Sequence, residues 1–180
     1  MNSIYMQSFF ILFGLICMKI TRCLWIVLFV FAYKTSDAQS MAYKTLLKGV
    51  YDKEFPLVNI DDQDVLEAAI FLDTREREEY EVSHLQNARW VGFNEFDLKR
   101  VKDLDKDKPI VVYCSIGARS QEIGKKLKEA GFLRVYNLYG GIFHWVNEEL
   151  PVYTNGQSTQ KVHAYNRAWG IWLSKGEKVY

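Results

Sequence analysis

The side chain best suited to covalent chemistry in this sequence is the thiol of Cys114, within the stretch VVYCSIGARSQEIGKKL (111–127). Residues typical of a β-strand precede the cysteine, and an amphipathic helical pattern begins a few residues after it. Gly117 can adopt backbone angles that other residues avoid, and Arg119 is always charged. A short loop between a strand and a helix can turn its N–H groups inward, which favours a thiolate and binds anions.

Each of these residues also has an ordinary structural interpretation. Cys114 could be a buried thiol that packs as a small hydrophobe, Gly117 a turn residue, and Arg119 a surface cation at the start of a helix. The cysteine count does not separate a reactive thiol from an inert one. The three residues together, at the end of a strand, favour a site.

The elements that must position this loop alternate along the chain. Strands are predicted in FPLVNI, IFLDT, ARWVGF, IVVYC and RVYNLYG. Helices are predicted in KTLLKGVYD, DDQDVLEAA, REREEYEV, RSQEIGKKLKEAGF and GGIFHWVNEEL. This alternation predicts a largely parallel sheet covered on both faces. Ligands of such sheets bind beyond the carboxyl ends of the strands, which is where Cys114 falls.

The N-terminal segment has the order of a secretory signal. Two basic residues precede the apolar run 24–33, and the small residues of SDAQS follow it, which predicts a signal over residues 1–38 that is cleaved after Ala38. Met18 is a possible true start of the chain. The run is shorter than the ~20 residues that span a bilayer, so we expect an exported, periplasmic protein; an uncleaved membrane anchor is the alternative.

Charge and cysteine content narrow the possible partners. The net charge of +1 gives no reason to expect a nucleic acid or an anionic membrane surface as a partner. Cleavage of the signal leaves Cys114 as the single cysteine, which cannot form an internal disulfide. The three histidines are scattered and have no metal-ligand spacing.

Three motifs, which follow one another along the chain in the family's order, resemble those of one enzyme family, the rhodaneses. YCSIGARS is similar to the family's active loop, C-R-x-G-x-R. FLDTREREEYEVSHLQNA resembles D-x-R-x-x-x-E-[FY]-x-x-G-H-I-x-G-A, and VYNLYGGIFHW resembles L-x-G-G-x-x-x-W. Residues 44–152 therefore resemble a single-domain rhodanese. Ser115 stands where many members have an arginine, and Ser83 and Asn87 replace two glycines, which weakens the inference that thiosulfate is the donor.

The resemblance implies a three-layer α/β/α sandwich around a five-stranded parallel sheet. It also implies a sulfurtransferase, in which the Cys114 thiolate takes sulfur from a donor such as thiosulfate and passes it, as a persulfide, to a thiol or cyanide-like acceptor. The loop that would hold the terminal sulfur consists of Ser115, Ile116, Gly117, Ala118 and Arg119. Neither a metal nor an organic cofactor is required. Asp73 and Arg75 are expected to pair and brace the loops, and His84 to bond the backbone.

Two other functions are compatible with this sequence. Cysteine-dependent phosphatases of the same fold have a loop that is one residue longer, whereas only four residues separate Cys114 from Arg119. A non-catalytic or slow rhodanese-like module would carry sulfur or bind a partner. In the extension, 153–180, aromatic residues lie at helical spacing, and we expect it to pack back on the domain; a surface at the mouth of the substrate site or for a partner is the alternative.

Overall fold

The structure, a computed structural model, describes residues 41–180. The predicted signal, residues 1–38, lies outside the described residues. The helices are α1 (41–50), α2 (Gln63–Ala68), α3 (Arg77–Val82), α4 (Ala118–Glu129) and α5 (Gly141–Asn147). The strands of the main sheet are β1 (Leu57–Val58), β2 (Ile70–Asp73), β3 (Arg89–Trp90), β4 (Ile110–Tyr113) and β5 (Val135–Leu138). Within this part of the chain, no helix is both long and apolar enough to cross a membrane.

The main sheet has five parallel strands in the order β1-β5-β4-β2-β3. The central strand, β4, has the sequence IVVY, and all of its residues are buried. A strand covered on both faces needs such a continuous apolar run, because neither set of alternating side chains meets water. The predicted α/β fold with a parallel five-stranded sheet and flanking helices is confirmed.

Helix α4 is held tightly against the centre of this sheet. Its side chains Ile123 and Leu127 are fully buried in the core beside Val112 of β4. A Cβ at Gly124 would lie 2.5 Å from the Phe55 ring and 3.3 Å from Val112, so glycine permits this close approach. The packing fixes the first turn of α4 just beyond the end of β4.

The C-terminal extension does not form the α-helix that its aromatic spacing predicts. It consists of an antiparallel pair, β6 (Val152–Thr154) and β7 (Gln157–Thr159), and a parallel pair, β8 (Lys161–His163) and β9 (Glu177–Val179). A short 3-10 helix, Gly170–Trp172, is the helical element of this segment. Tyr165 has a φ of 63°, which an α-helix cannot accommodate, and pairing of distant strands outweighs the local helical pattern.

Candidate active site

The loop between β4 and α4, residues 114–117, is held in place by hydrogen bonds that its backbone carbonyl groups accept. Two of these donors lie in the first turn of α5. The N–H of Ile142 donates to the Cys114 carbonyl at 2.9 Å, and the N–H of Phe143 donates to the Ser115 carbonyl at 3.1 Å. The next two carbonyls have side-chain donors. The Tyr51 hydroxyl donates to the Ile116 carbonyl at 2.6 Å, and the Asn137 amide to the Gly117 carbonyl at 2.8 Å.

This outward anchoring of the carbonyls determines where the loop N–H groups point. In a planar trans peptide the C=O and the next N–H point in opposite directions. The N–H groups of residues 115–118 therefore face away from the anchoring donors, and that of Gly117 lies 3.1 Å from Cys114 Sγ. Successive N–H groups on one side of a loop form an anion-binding nest, and the Gly117 N–H of this loop donates to the sulfur.

Two glycines allow the backbone to adopt this arrangement. Gly117 has a φ of 102°, and a Cβ there would lie 2.5 Å from the Tyr51 ring. Gly141, with a φ of 56°, begins α5 directly against the loop, and a Cβ there would collide with the carbonyl oxygen of Cys114. Burial raises the pKa of Tyr51, so its hydroxyl keeps the proton that it donates to the loop.

Arg119 is one half of a buried ion pair. Its guanidinium donates to both carboxylate oxygens of Glu79, at 2.7 and 2.9 Å, and the Ser115 hydroxyl donates to the same carboxylate at 3.1 Å. The Glu79 side chain is 3% exposed and that of Arg119 is 16% exposed. The fixed positive charge that Arg119 adds to the loop is therefore paired with the carboxylate of Glu79.

The titration of both partners reflects this pairing. Burial raises the pKa of Glu79, but the hydrogen bonds and charge of Arg119 outweigh it and the pKa is lowered. Burial lowers the pKa of Arg119, but its hydrogen bonds to Glu79 and the negative charges of Cys114 and Glu79 outweigh this effect, and the pKa is raised. Both groups are thus charged at neutral pH. Sequence reasoning missed the role of Glu79, although this residue occupies the acidic position of the second motif.

The three supporting residues predicted from the sequence lie behind the loop and do not line the pocket at the cysteine. Asp73 and Arg75 are completely buried and pair at 2.6 Å, and Arg75 also donates to the Ser83 carbonyl. His84 forms backbone bonds with Tyr153 in both directions, and its Nδ1 lies 2.9 Å from the next carbonyl. These contacts brace the segments after β2 and α3.

A pocket of about 180 Å³ opens at the thiol. The predicted site residues that line it are Cys114, Ser115, Ile116, Ala118 and Arg119. Its other walls are Val50 of α1 and two residues of the extension, Tyr165 and Trp169. Sequence reasoning missed Val50, which comes from the other end of the domain, whereas Tyr165 and Trp169 match the alternative in which the extension lies at the mouth of the site. Among residues 41–180, no cluster of three or more histidine, cysteine or acidic side chains is placed to hold a metal ion.

The structure thus places a buried cysteine at the end of the central strand of a parallel sheet, with a loop N–H donating to its sulfur, as the resemblance to the rhodaneses predicts. The profile of the rhodanese-like domain family matches residues 57–148. The chain belongs to this family.

Relatives of known name are similar to the chain over its central part. Thiosulfate sulfurtransferase GlpE of Coxiella burnetii is 37% identical over 76 residues, which are 42% of this chain and 70% of that protein. A tRNA uridine(34) hydroxylase of Enterobacter is 33% identical over 102 residues, 52% of this chain but only 28% of that enzyme. The solved structure of the BH2092 protein from Bacillus halodurans superimposes with a TM-score of 0.51 at 28% identity, covering 65% of this chain and 87% of that one.

Proposed function

We propose that this protein is a sulfurtransferase that moves a sulfane sulfur through a persulfide on Cys114. The observation that supports this most directly is the nest: the loop carbonyls are anchored outward, and the N–H of Gly117 lies 3.1 Å from Sγ. The relative named thiosulfate sulfurtransferase supports a donor of the thiosulfate type.

In the first step, the Cys114 thiolate attacks the outer sulfur of thiosulfate. A sulfur–sulfur bond forms to Sγ as the donor's own sulfur–sulfur bond breaks, and the electron pair leaves with sulfite. The new terminal sulfur bears a negative charge, and the preorganised loop N–H groups stabilise it without reorientation. An acceptor thiolate or cyanide then attacks this terminal sulfur and releases the cysteine thiolate, so the cycle needs no oxidant.

Mass spectrometry of the intact protein tests this proposal. After incubation with thiosulfate, the wild-type protein should gain one sulfur atom, which cyanide removes. The Cys114→Ser variant should gain none and should keep the wild-type circular dichroism spectrum. Sulfur transfer by the serine variant would refute the assignment. A phosphate ester assayed on the same sample separates this function from that of a phosphatase, which would hydrolyse the ester and not load sulfur.

A second candidate is a sulfur carrier that loads but turns over slowly. The burial of Cys114, which is 1% exposed, favours it, since an acceptor must reach a thiol that is nearly covered. The two functions differ in turnover. A carrier would gain one sulfur atom yet release sulfite only once per chain in excess cyanide, whereas an enzyme would release it continuously.

We also propose that the protein is exported to the periplasm. The support is the basic, apolar and small-residue order of the N-terminal segment. N-terminal sequencing of protein from a cell envelope fraction should find a chain that begins near Gln39. A membrane-bound chain that retains residues 24–33 would instead favour an anchor.

A further inference from the structure

The pocket at Cys114 has apolar walls that the loop itself does not supply. Val50 contributes one wall, and the aromatic side chains of Tyr165 and Trp169, from the C-terminal extension, contribute another. The volume of about 180 Å³ is enough for one aromatic ring, since an apolar cavity of roughly 150 Å³ binds benzene in another protein. The thiol therefore lines an open pocket that fits a small apolar group.

The cation that lines this pocket is already engaged. The two terminal nitrogens of Arg119 donate to the Glu79 carboxylate, and the Tyr165 ring covers the guanidinium with its centroid 4.9 Å from Cζ. A dianionic donor would thus meet the backbone nest but not an uncompensated side-chain cation. The electrostatics of the pocket favour a donor of lower charge than thiosulfate.

The backbone conformation of Tyr165 positions its ring at the pocket. Its φ of 63° is an outlier for a bulky residue. The fully buried side chains of Val162 and Ala164 anchor the chain just before it, and its N–H donates to Nδ1 of His163 at 3.1 Å. Strain of this kind persists only where the surroundings impose it, and it concentrates at functional sites.

From these contacts we infer that Tyr165 and Trp169 are specificity-determining residues that select a sulfane donor with a small apolar organic group. The class is an organic thiosulfonate, RSO₂S⁻, or an organic persulfide, with one ring or a short branched chain as R. This inference rests on the proposed function. With a thiosulfonate, Cys114 Sγ bonds to the terminal sulfur, the bond to the sulfonyl sulfur breaks, and the electron pair leaves with the sulfinate RSO₂⁻.

The test compares two donors on the same full-length sample. Benzenethiosulfonate and methanethiosulfonate differ in the ring, and sulfinate release in excess cyanide gives kcat/KM for each. The quantity compared is the kcat/KM for benzenethiosulfonate divided by the kcat/KM for methanethiosulfonate. This ratio does not depend on the fraction of a variant that is folded. The variants are Tyr165→Asn, because asparagine tolerates a positive φ, and Trp169→Ala. The matched control is Tyr180→Asn: this aromatic residue of the same extension lies over Arg167 at 5.8 Å and does not line the pocket.

The ratio should fall about tenfold in Tyr165→Asn and in Trp169→Ala, the loss expected when part of an apolar pocket is removed. Tyr180→Asn and Tyr165→Phe should keep the wild-type ratio. Wild-type ratios in both pocket variants would overturn the inference while leaving the proposed function intact, provided that thiosulfate still loads Cys114. A wild-type protein that gains no sulfur from thiosulfate or either thiosulfonate would overturn both.

Discussion

Replacing Glu79 by glutamine should destabilise the protein far more than a surface charge change would. The carboxylate accepts two hydrogen bonds from Arg119 and one from the Ser115 hydroxyl. Glutamine is nearly isosteric and keeps the capping-box bond that Glu79 makes to the N–H of Glu76. The substitution therefore removes the negative charge and one acceptor oxygen with little change of shape, which leaves the Arg119 guanidinium, 16% exposed, without its counterion.

The expected loss is about 3 kcal/mol in the free energy of unfolding at pH 7. Breaking a buried ion pair by removing one partner costs roughly 3–5 kcal/mol, and the lower end applies because the glutamine oxygen still accepts one bond from Arg119. In a chain of this size each kcal/mol corresponds to roughly 2–4 °C in Tm, so Tm should fall by about 6–12 °C.

Urea unfolding followed by circular dichroism measures this loss. The control is Glu81→Gln on the same helix: the pair of Glu81 with Arg77 is exposed on both sides and is worth at most about 0.5 kcal/mol. A second variant, Glu79→Gln with Arg119→Met, removes both charges and should be more stable than Glu79→Gln alone. If Glu79→Gln costs no more than Glu81→Gln, the ion pair does not hold the loop.

The contribution of Glu79 should also depend on pH. The pKa of Glu79 is lower in the folded protein than its ordinary value, because the hydrogen bonds and charge of Arg119 outweigh the effect of burial. A carboxyl with a depressed folded pKa stabilises the protein at pH values above its unfolded pKa of about 4.3. This stabilisation is lost as the pH falls through the folded pKa. The stability difference between wild type and Glu79→Gln should therefore be full at pH 6–7 and shrink below about pH 4; a difference that grows in acid would contradict the lowered pKa.

Two further variants test how the loop is built. Tyr51→Phe removes the hydroxyl that donates to the Ile116 carbonyl and accepts from the turn between β5 and α5. It should lower the free energy of unfolding, measured in urea, by about 1–3 kcal/mol and should slow sulfur loading. An unchanged loading rate would show that the bond to Ile116 does not orient the nest. Gly141→Ala should abolish sulfur loading, because its Cβ would collide with the Cys114 carbonyl, whereas Gly156→Ala, also at positive φ but with open space around it, should keep it. Equal loading by the two alanine variants would mean that the close approach of α5 is not required.

Local sequence patterns were enough to predict the central part of the fold. The run IVVY buries both of its alternating sets of side chains in β4, and a buried parallel strand requires just such a run. The amphipathic pattern after Cys114 predicts α4, whose Ile123 and Leu127 are fully buried. Strand, loop and helix are set by neighbours in the chain, so the cysteine could be placed at the strand end from the sequence.

The residues that complete the site come from distant parts of the chain. Glu79 pairs with a residue 40 positions away, and the Tyr51 hydroxyl bonds a carbonyl 65 positions away. The motifs place such residues on a pattern but do not show which atoms meet. For the same reason, the spacing of residues shows that a cation starts the helix but not that the buried carboxylate of Glu79 pairs with it.

In the C-terminal extension, the local sequence pattern and the tertiary structure differ most clearly. Apolar residues at intervals of three and four predict a helix, because that pattern is a local signal. The observed segment instead buries Val162 of β8, which pairs with β9 across 16 residues of sequence from Lys161 to Glu177. The sequence alone determined the central fold and the position of Cys114 at the end of a strand. Tertiary structure decided the partner of Arg119, the walls of the pocket and the conformation of Tyr165, because long-range strand pairing and burial outweigh local propensity there.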